Sequence, residues 1–495
     1  MKILIVGGGS AGWMTAATLE SQLPQHKISL IESKNISTVG VGESTIRQIF
    51  EWMRMLNIKD EDFLKHVDGI YKLSIKFTDF YKKGEAFHYP FGGAPLEENK
   101  AGYNDWWFKK IFNPSTPNSD YADCIYPLQM AYVNQNKFDK EQVEYAYHFD
   151  AAKFGIWLRD KYCKKVKHII DDIVSVEQDE NGIVSLNKKY KADLYIDCTG
   201  FKSLLLDKSL KEPFESYSDM LPNDSAWATK IKYKNKKKEL VPYTNCTAIE
   251  NGWVWNIPLW SRIGTGYVYS SKFVDDDTAL KEFKKHLGQK DLEFKKIKMR
   301  VGVHKRVWVK NVVAIGLSAG FIEPLESNGL FSVHEFLIRL LRNLRREKFS
   351  QWDRDNFNYQ CKHLFKTFAE FVSLHYALSH RDDTPYWRHC MNKTWDNSLI
   401  NLSPVGVKGF KDAVELRTHD FKFRIDGGLH CIAAGMNWAP TDKTSLLIHN
   451  NLNEKELEHS FKECIKKLNQ RKELCNVLIK KKSSLFTVLK NIHAR

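Results

Sequence analysis

No two of the nine cysteines are spaced as C-x-x-C, and their number is odd. A disulfide framework or a zinc site is therefore not expected, and reduced thiols suit a cytoplasmic setting. No apolar run approaches the roughly 18 residues that a membrane helix needs. The opening MKILIVGGG has one lysine and an apolar run of four, too short for a signal peptide. No internal repeat is found. Lysine and arginine outnumber acidic residues 75 to 60, for a formal net charge of +15. Outside 234–238 and the C-terminal stretch the excess lysines are scattered, so nucleic acid is not an expected partner. Apolar residues make up 43% of the chain, enough for a sizeable core. The 495 residues suit roughly two to four domains, or one large body with an extension.

Lys2–Val6 is a compact apolar strand. Gly7, Gly9 and Gly12 follow as G-x-G-x-x-G, and a helix is expected from about Ala11 to Leu23. A second strand, Ile28–Ile31, ends at Glu32, 20 residues after Gly12. Such glycines permit a tight turn, close approach of Ser10 and Ala11 to a pyrophosphate, and close helix–strand packing. A carboxylate at the position of Glu32 suits a ribose hydroxyl. The plain alternative is a glycine-rich turn without a ligand. Val39–Thr45 reads as a strap over a cofactor, with Val41, Gly42 and Glu43 in contact with it, or else as an ordinary loop. Late in the chain, Val312–Ile315 is a short strand. It leads through Phe321–Gly329 into a helix marked by Leu330, Phe331, Phe336, Leu337, Leu340 and Leu341. FAD fits better than NAD, because the segments Asp193–Gly200 and Val312–Leu330 resemble the later returns of glutathione-reductase-type FAD proteins.

From Tyr71 the residues alternate, with Tyr71, Leu73, Ile75 and Phe77 on one face and Lys72, Ser74, Lys76 and Thr78 on the other. Periodicity alone reads Lys72 as a solvated strand lysine. Phe87–Gly92 is an aromatic turn containing Tyr89 and Phe91. Trp253 and Trp255 share a strand face that Pro258 ends, either as a cross-strand pair or as an indole wall beside a ligand. Tyr145–Lys161 is expected to be helical, Lys232–Lys238 an exposed hairpin tip, and Glu454–Ile492 a lysine-rich helical hairpin on the surface.

Several segments jointly resemble one family, the flavin-dependent tryptophan halogenases. The loop Gly7–Gly12 runs on into Trp13-Met14, like the family's G-x-G-x-x-G-W start. Trp253–Pro258 is similar to its W-x-W-x-I-P signature. Phe321–Gly329 is similar to its F-x-x-P-x-x-S-x-G signature. The stretch around Tyr71-Lys72 and the stretch His375–Trp387 resemble two further segments. The resemblance implies an α/β fold: a glutathione-reductase/hydroxylase-like Rossmann FAD module with a mixed sheet over residues 1–340, and a mainly helical C-terminal domain over 341–495. It also implies that a separate flavin reductase supplies FADH2. Oxygen and a halide then yield hypohalous acid at the flavin, which passes through a tunnel to Lys72. Lys72 forms a haloamine or aims the acid by a hydrogen bond, and a paired Glu326 polarises the oxidant or takes the ring proton. Asn328 and Gly329 would seat the halide, and Leu317 and Leu330 would touch the flavin. Trp253 and Trp255, with Tyr89 and Phe91, would form the flavin and substrate wall. Family members often form homo-oligomers.

The related hydroxylases carry Gly-Asp at the position of Gly316-Leu317, which favours the halogenase branch. Tryptophan-specific members have a histidine where Tyr89 stands and a Tyr-Tyr pair that residues 400–450 lack. An indole, a phenol or a larger small-molecule aromatic is therefore as well suited as free tryptophan. An FAD-dependent aromatic monooxygenase, and a flavin-binding protein without turnover, are the competing readings.

Overall fold

A computed structural model describes residues 1–35, 42–92, 103–289, 292–346, 349–395, 426–438 and 453–494. Lys2–Val6 lies inside a six-stranded sheet, paired in parallel with Lys27–Glu32 on one side and Leu194–Asp197 on the other. Lys167–Ile170 and Val312–Ala314 extend the parallel ladder in each direction. Ile3 to Val6 are all buried. A parallel strand covered on both faces has no wet side, which explains the unbroken apolar run. On one face the helix Ser10–Gln22 packs against the helices Ala151–Tyr162 and Gly329–Leu344. On the other, Leu4, Val6 and Ile31 meet Ile183, Leu186 and Leu205. The glycine-rich loop thus leaves the carboxyl end of a central strand, where open α/β sheets bind their ligands.

A second, seven-stranded sheet carries Trp253 and Trp255. Its strands run in the order Lys295–Lys298, Ser225–Ile231, Ile263–Tyr269, Gly252–Pro258, Tyr243–Ile249, Ser74–Thr78, Ala86–Pro90. All neighbours are antiparallel except Tyr243–Ile249 with Ser74–Thr78. A small third sheet places Ala146–Phe149 between Glu43–Ser44 and Ile70–Lys72. The helices Gly329–Leu344 and Gln351–Ala377 pack together, the second opened by a capping box of Ser350 and Asp353. The expected α/β class with mixed sheets and a helical C-terminal region is what the chain adopts. Residues 340 and 341, where the sequence division falls, both lie within the helix Gly329–Leu344.

Four local expectations need correction. The alternating stretch after Tyr71 is two strands in two sheets, Ile70–Lys72 and Ser74–Thr78, and Leu73 N–H donates to the Pro242 carbonyl at the crossing. Tyr145–Lys161 is a strand, Ala146–Phe149, followed by a helix from Ala151. Asp150 caps that helix, accepting from the Ala152 and Lys153 amides. Lys232–Lys238 is not a hairpin tip, because Ser225–Ile231 pairs with Ile263–Tyr269 and Lys295–Lys298 rather than with the next strand. The C-terminal helices Glu454–Leu478 and Leu485–Ala494 dock on different partners, the first on helices between 103 and 134, the second on Asp60–His66.

Candidate active site

A cavity of about 750 Å³ opens where the two large sheets meet. The glycine-rich loop forms one wall. Gly7 has φ +112°, and a Cβ there would overlap the Cys198 carbonyl. Gly8 was not singled out in the sequence, yet a Cβ on it would overlap the Glu32 carboxylate. Gly9, with open space beside it, caps the helix Ser10–Gln22 without a side-chain bond, so the first-turn N–H groups remain available to an anion. Ser10, Ala11 and Glu32 also line the cavity, whereas Gly12 packs against the Gly7 carbonyl. His168 Nε2 lies 2.7 Å from Glu32 Oε1 and orients that carboxylate. A loop that admits no Cβ at Gly7 or Gly8, an uncapped helix and a strand-end carboxylate together fit a dinucleotide cofactor.

Gly42 and Glu43 line the cavity, as the strap reading requires, while Val41 lies outside the described residues. Burial, and then the charge of Asp150, raise the Glu43 carboxyl to about 7. Leu317 and Leu330 also line the cavity. Trp253 and Trp255 face the cavity with ring centroids 6.2 Å apart and planes at 60°. Trp253 Nε1–H donates to Glu323 at 3.3 Å, and Glu323 also accepts from Asn223 at 2.9 Å and Tyr376 at 2.5 Å. That buried anchor behind the indole was not read from the sequence, although Glu323 lies inside the matched motif.

Asn328 and Gly329 open the helix Gly329–Leu344 at the cavity wall. Asn328 is 5% exposed, yet neither amide atom has a hydrogen-bond partner, and open space lies beside Gly329. An unsatisfied buried amide at a helix N-terminus fits a small anion.

Lys72 is 0% exposed, contrary to the solvated reading. Its ammonium donates to the Thr45 carbonyl at 3.0 Å and to Ser327 Oγ at 2.9 Å, with the Phe91 ring centroid 5.0 Å away. Burial lowers its pKa from 10.5 to about 7, opposed by Glu326 and Cys246. Glu326 does not form the expected ion pair with Lys72. Its Oε1 lies 3.0 Å from His375 Nε2, without the alignment of a hydrogen bond. His375 Nδ1 faces the Val372 carbonyl at 3.0 Å, which fixes the ring. Tyr89 and Phe91 do not line the cavity, so the expected wall is divided. Phe91 stands beside Lys72, and Tyr89 beside Gly428 and Phe371.

Comparison with known proteins identifies the family. A sequence profile described as tryptophan halogenase matches residues 2–449. The chain belongs to the tryptophan halogenase family. It is 35% identical over 441 residues to a tryptophan 6-halogenase of Streptomyces toxytricini, covering 80% of this chain and 82% of that protein. It is 35% identical over 486 residues to a tryptophan 7-halogenase of Lentzea aerocolonigenes, covering 90% and 92%. A solved flavin-dependent halogenase from Brevundimonas sp. BAL3 superposes with TM-score 0.86 at 29% identity, covering 99% of each chain. This halogenase is an FADH2-dependent oxidoreductase served by a separate flavin reductase, as its family is. No described helix is long and apolar enough to cross a membrane.

Proposed function

We propose that this halogenase forms a carbon–halogen bond on an electron-rich aromatic by passing hypohalous acid to Lys72. The observation that carries this reading is the burial of Lys72 with a pKa near neutrality. An ordinary lysine at pH 7 is almost wholly ammonium. Lys72 offers both forms. The ammonium can hydrogen-bond the oxygen of hypohalous acid, and the amine can carry the halogen as a haloamine. In either case the aromatic C–H and the acid give an aromatic C–halogen bond and water.

When bound, reduced FAD with oxygen supplies the oxidising equivalent for the halide. The chain's own residues do the rest. Gly7, Gly8 and Gly9 with the helix start would hold the pyrophosphate, and Glu32 the ribose. Asn328 and Gly329 would hold the halide against the cavity. Trp253 and Trp255 block a direct path for substrate from the second sheet, which suppresses hydroxylation. Glu326, beside His375, accepts the ring proton.

The Streptomyces toxytricini and Lentzea aerocolonigenes relatives are tryptophan halogenases. Tyr89 stands where tryptophan-specific members have histidine, and it meets Gly428 closely. These differences suit an indole, a phenol or a larger aromatic as well as the free amino acid.

The test combines protein, FAD, NADH, a generic flavin reductase, oxygen and each halide with an activated phenol, read by mass spectrometry. Enzyme- and halide-dependent halogenation of the phenol is expected. Lys72→Ala should retain flavin oxidation and lose turnover of substrates that need the lysine. Oxygenated, halide-independent product would overturn the reading.

A further inference from the structure

Lys72 is one end of a buried chain of hydroxyl groups. Its ammonium donates to Ser327 Oγ at 2.9 Å. Ser327 Oγ lies 2.9 Å from Ser44 Oγ, which lies 2.8 Å from Thr244 Oγ1. Thr244 Oγ1 lies 2.8 Å from His148 Nε2. The small third sheet builds this line, since Ser44 is register partner to His148 and Lys72 to Ala146 on the same central strand. All five side chains are buried, and the three hydroxyls lie along the cofactor cavity.

The ends set the direction of the chain. Lys72 as ammonium can only donate, so the Ser327 hydrogen turns toward Ser44. The Ser44 hydrogen turns toward Thr244, and the Thr244 hydrogen toward His148 Nε2. We propose that Ser327, Ser44, Thr244 and His148 form a proton relay that discharges and recharges Lys72 within the folded interior.

In one concerted shift each hydroxyl passes on one proton and receives another. Lys72 becomes the amine and His148 the imidazolium, with no bond to carbon changed and no electron transferred. The reverse shift restores the ammonium. The amine is the form that can take a halogen from hypohalous acid, and the ammonium is the form that can aim the acid. The relay thus rests on the role proposed for Lys72 and explains how a lysine sealed from solvent changes form. Burial, and then the Lys72 charge, hold the His148 pKa well below its usual value, so His148 is the neutral acceptor at rest. The charged or titratable groups acting on Lys72 are Glu326 and Cys246, and His148 in turn is acted on by Lys72. Glu43, next to Ser44, is influenced by Asp150 instead.

The test uses the full chain with Lys72, Thr244→Val and Thr244→Ser. Valine keeps the shape and removes the hydroxyl, and serine restores it. Lysine labelled with carbon-13 at Cε is titrated by NMR in the cofactor-free protein, with the Lys72 signal identified by its loss in Lys72→Arg. Breaking the chain frees Ser327 to donate to the amine. The Lys72 midpoint should therefore fall by about one pH unit in Thr244→Val, the net worth of about one hydrogen bond. It should return in Thr244→Ser. In the loaded enzyme, halogen transfer should slow about 100-fold in Thr244→Val. The curved dependence of its rate on deuterium fraction should become linear, with FAD affinity retained. Ser44→Ala breaks the same line at another link and repeats both readouts should Thr244→Val fail to fold.

An unchanged midpoint or an unchanged deuterium dependence overturns the relay, and Lys72 keeps its role if Lys72→Ala is inactive. Full activity of Lys72→Ala overturns the proposed function itself.

Discussion

Lys72 should weaken the fold that it serves. Its pKa falls from 10.5 to about 7 on folding. The unfolded chain therefore binds a proton that the folded chain releases between those two values, and stability rises with pH across that window. At 1.36 kcal/mol per pH unit the burial of this charge costs about 5 kcal/mol at and below neutrality. Lys72→Met fills similar space without a charge. It leaves the Thr45 carbonyl and the Ser327 hydroxyl without their donor, a loss of about 1–3 kcal/mol. The expected result at pH 7 is a variant more stable by about 2 kcal/mol that no longer halogenates. The assay is urea unfolding of both proteins at pH 7 and 9.5, compared at equal slope. The wild-type protein should gain about 3 kcal/mol on the variant between those pH values, because Lys72 alone distinguishes them. A variant less stable than wild type at pH 7, or a gap that does not change with pH, would refute the reasoning. It would mean that Thr45, Ser327 and the nearby carboxylate already offset the buried charge.

Gly12→Ala places a methyl group against the Gly7 carbonyl. FAD affinity, read by flavin fluorescence, should fall at least roughly tenfold because the phosphate loop must shift. Asn328→Leu replaces an unsatisfied buried amide with a hydrocarbon of similar size, so the halide concentration at half-maximal rate should rise about tenfold with FAD affinity retained. Trp255→Ala removes an indole from the cavity wall, and coupling should fall, measured as peroxide released per halogenated product. The Glu43 carboxyl titrates near 7 inside the cavity. FAD affinity should therefore decline as pH rises through 7 and Glu43 becomes charged, and Glu43→Gln should remove that decline.

What was legible in the sequence is what backbone geometry imposes locally. The turn at Gly7, the helix after Gly9 and the strand ending at Glu32 depend on neighbours within about 30 residues in a βαβ unit. Lys72 was harder to place. Alternation shows that a strand has two faces, but not that both are covered. Lys72 ends a strand of the third sheet beside Ala146, and its ammonium reaches the loop bearing Ser327, so its cover comes from segments far away in sequence. Lys232–Lys238 misled for a related reason, because a polar run between two apolar runs resembles a turn and only long-range pairing shows which strands are neighbours. In 145–161 a strand of four residues and a capped helix merged into one apparent period. Thr244 and His148 carry no local signal at all, since each is an ordinary strand residue until Ser44 comes between them and Ser327.

The segment Gly316–Leu330 explains why one motif carries so much of this fold's chemistry. Leu317, Asn328 and Leu330 face the cofactor cavity. Ser327, at φ +58°, turns its hydroxyl to Lys72, and Glu326 beside it reaches His375 on the helix Gln351–Ala377. Three consecutive side chains thus reach three different partners, which a left-handed residue between two helical turns makes geometrically available. A substitution that shifts this backbone would disturb the proposed halide seat, Lys72 and the proposed ring-proton acceptor together. By contrast, Tyr89 and Phe91 sit on a separate edge strand and on the turn after it, with no contact to the cavity. Changes there can alter which aromatic is accepted while leaving the oxidant-forming half intact. Swapping Tyr89 to histidine is therefore expected to change the ranking of indole and phenol substrates, measured by competition, with the halide dependence of phenol trapping held constant. A parallel change in halide dependence would show that the two halves are not separable.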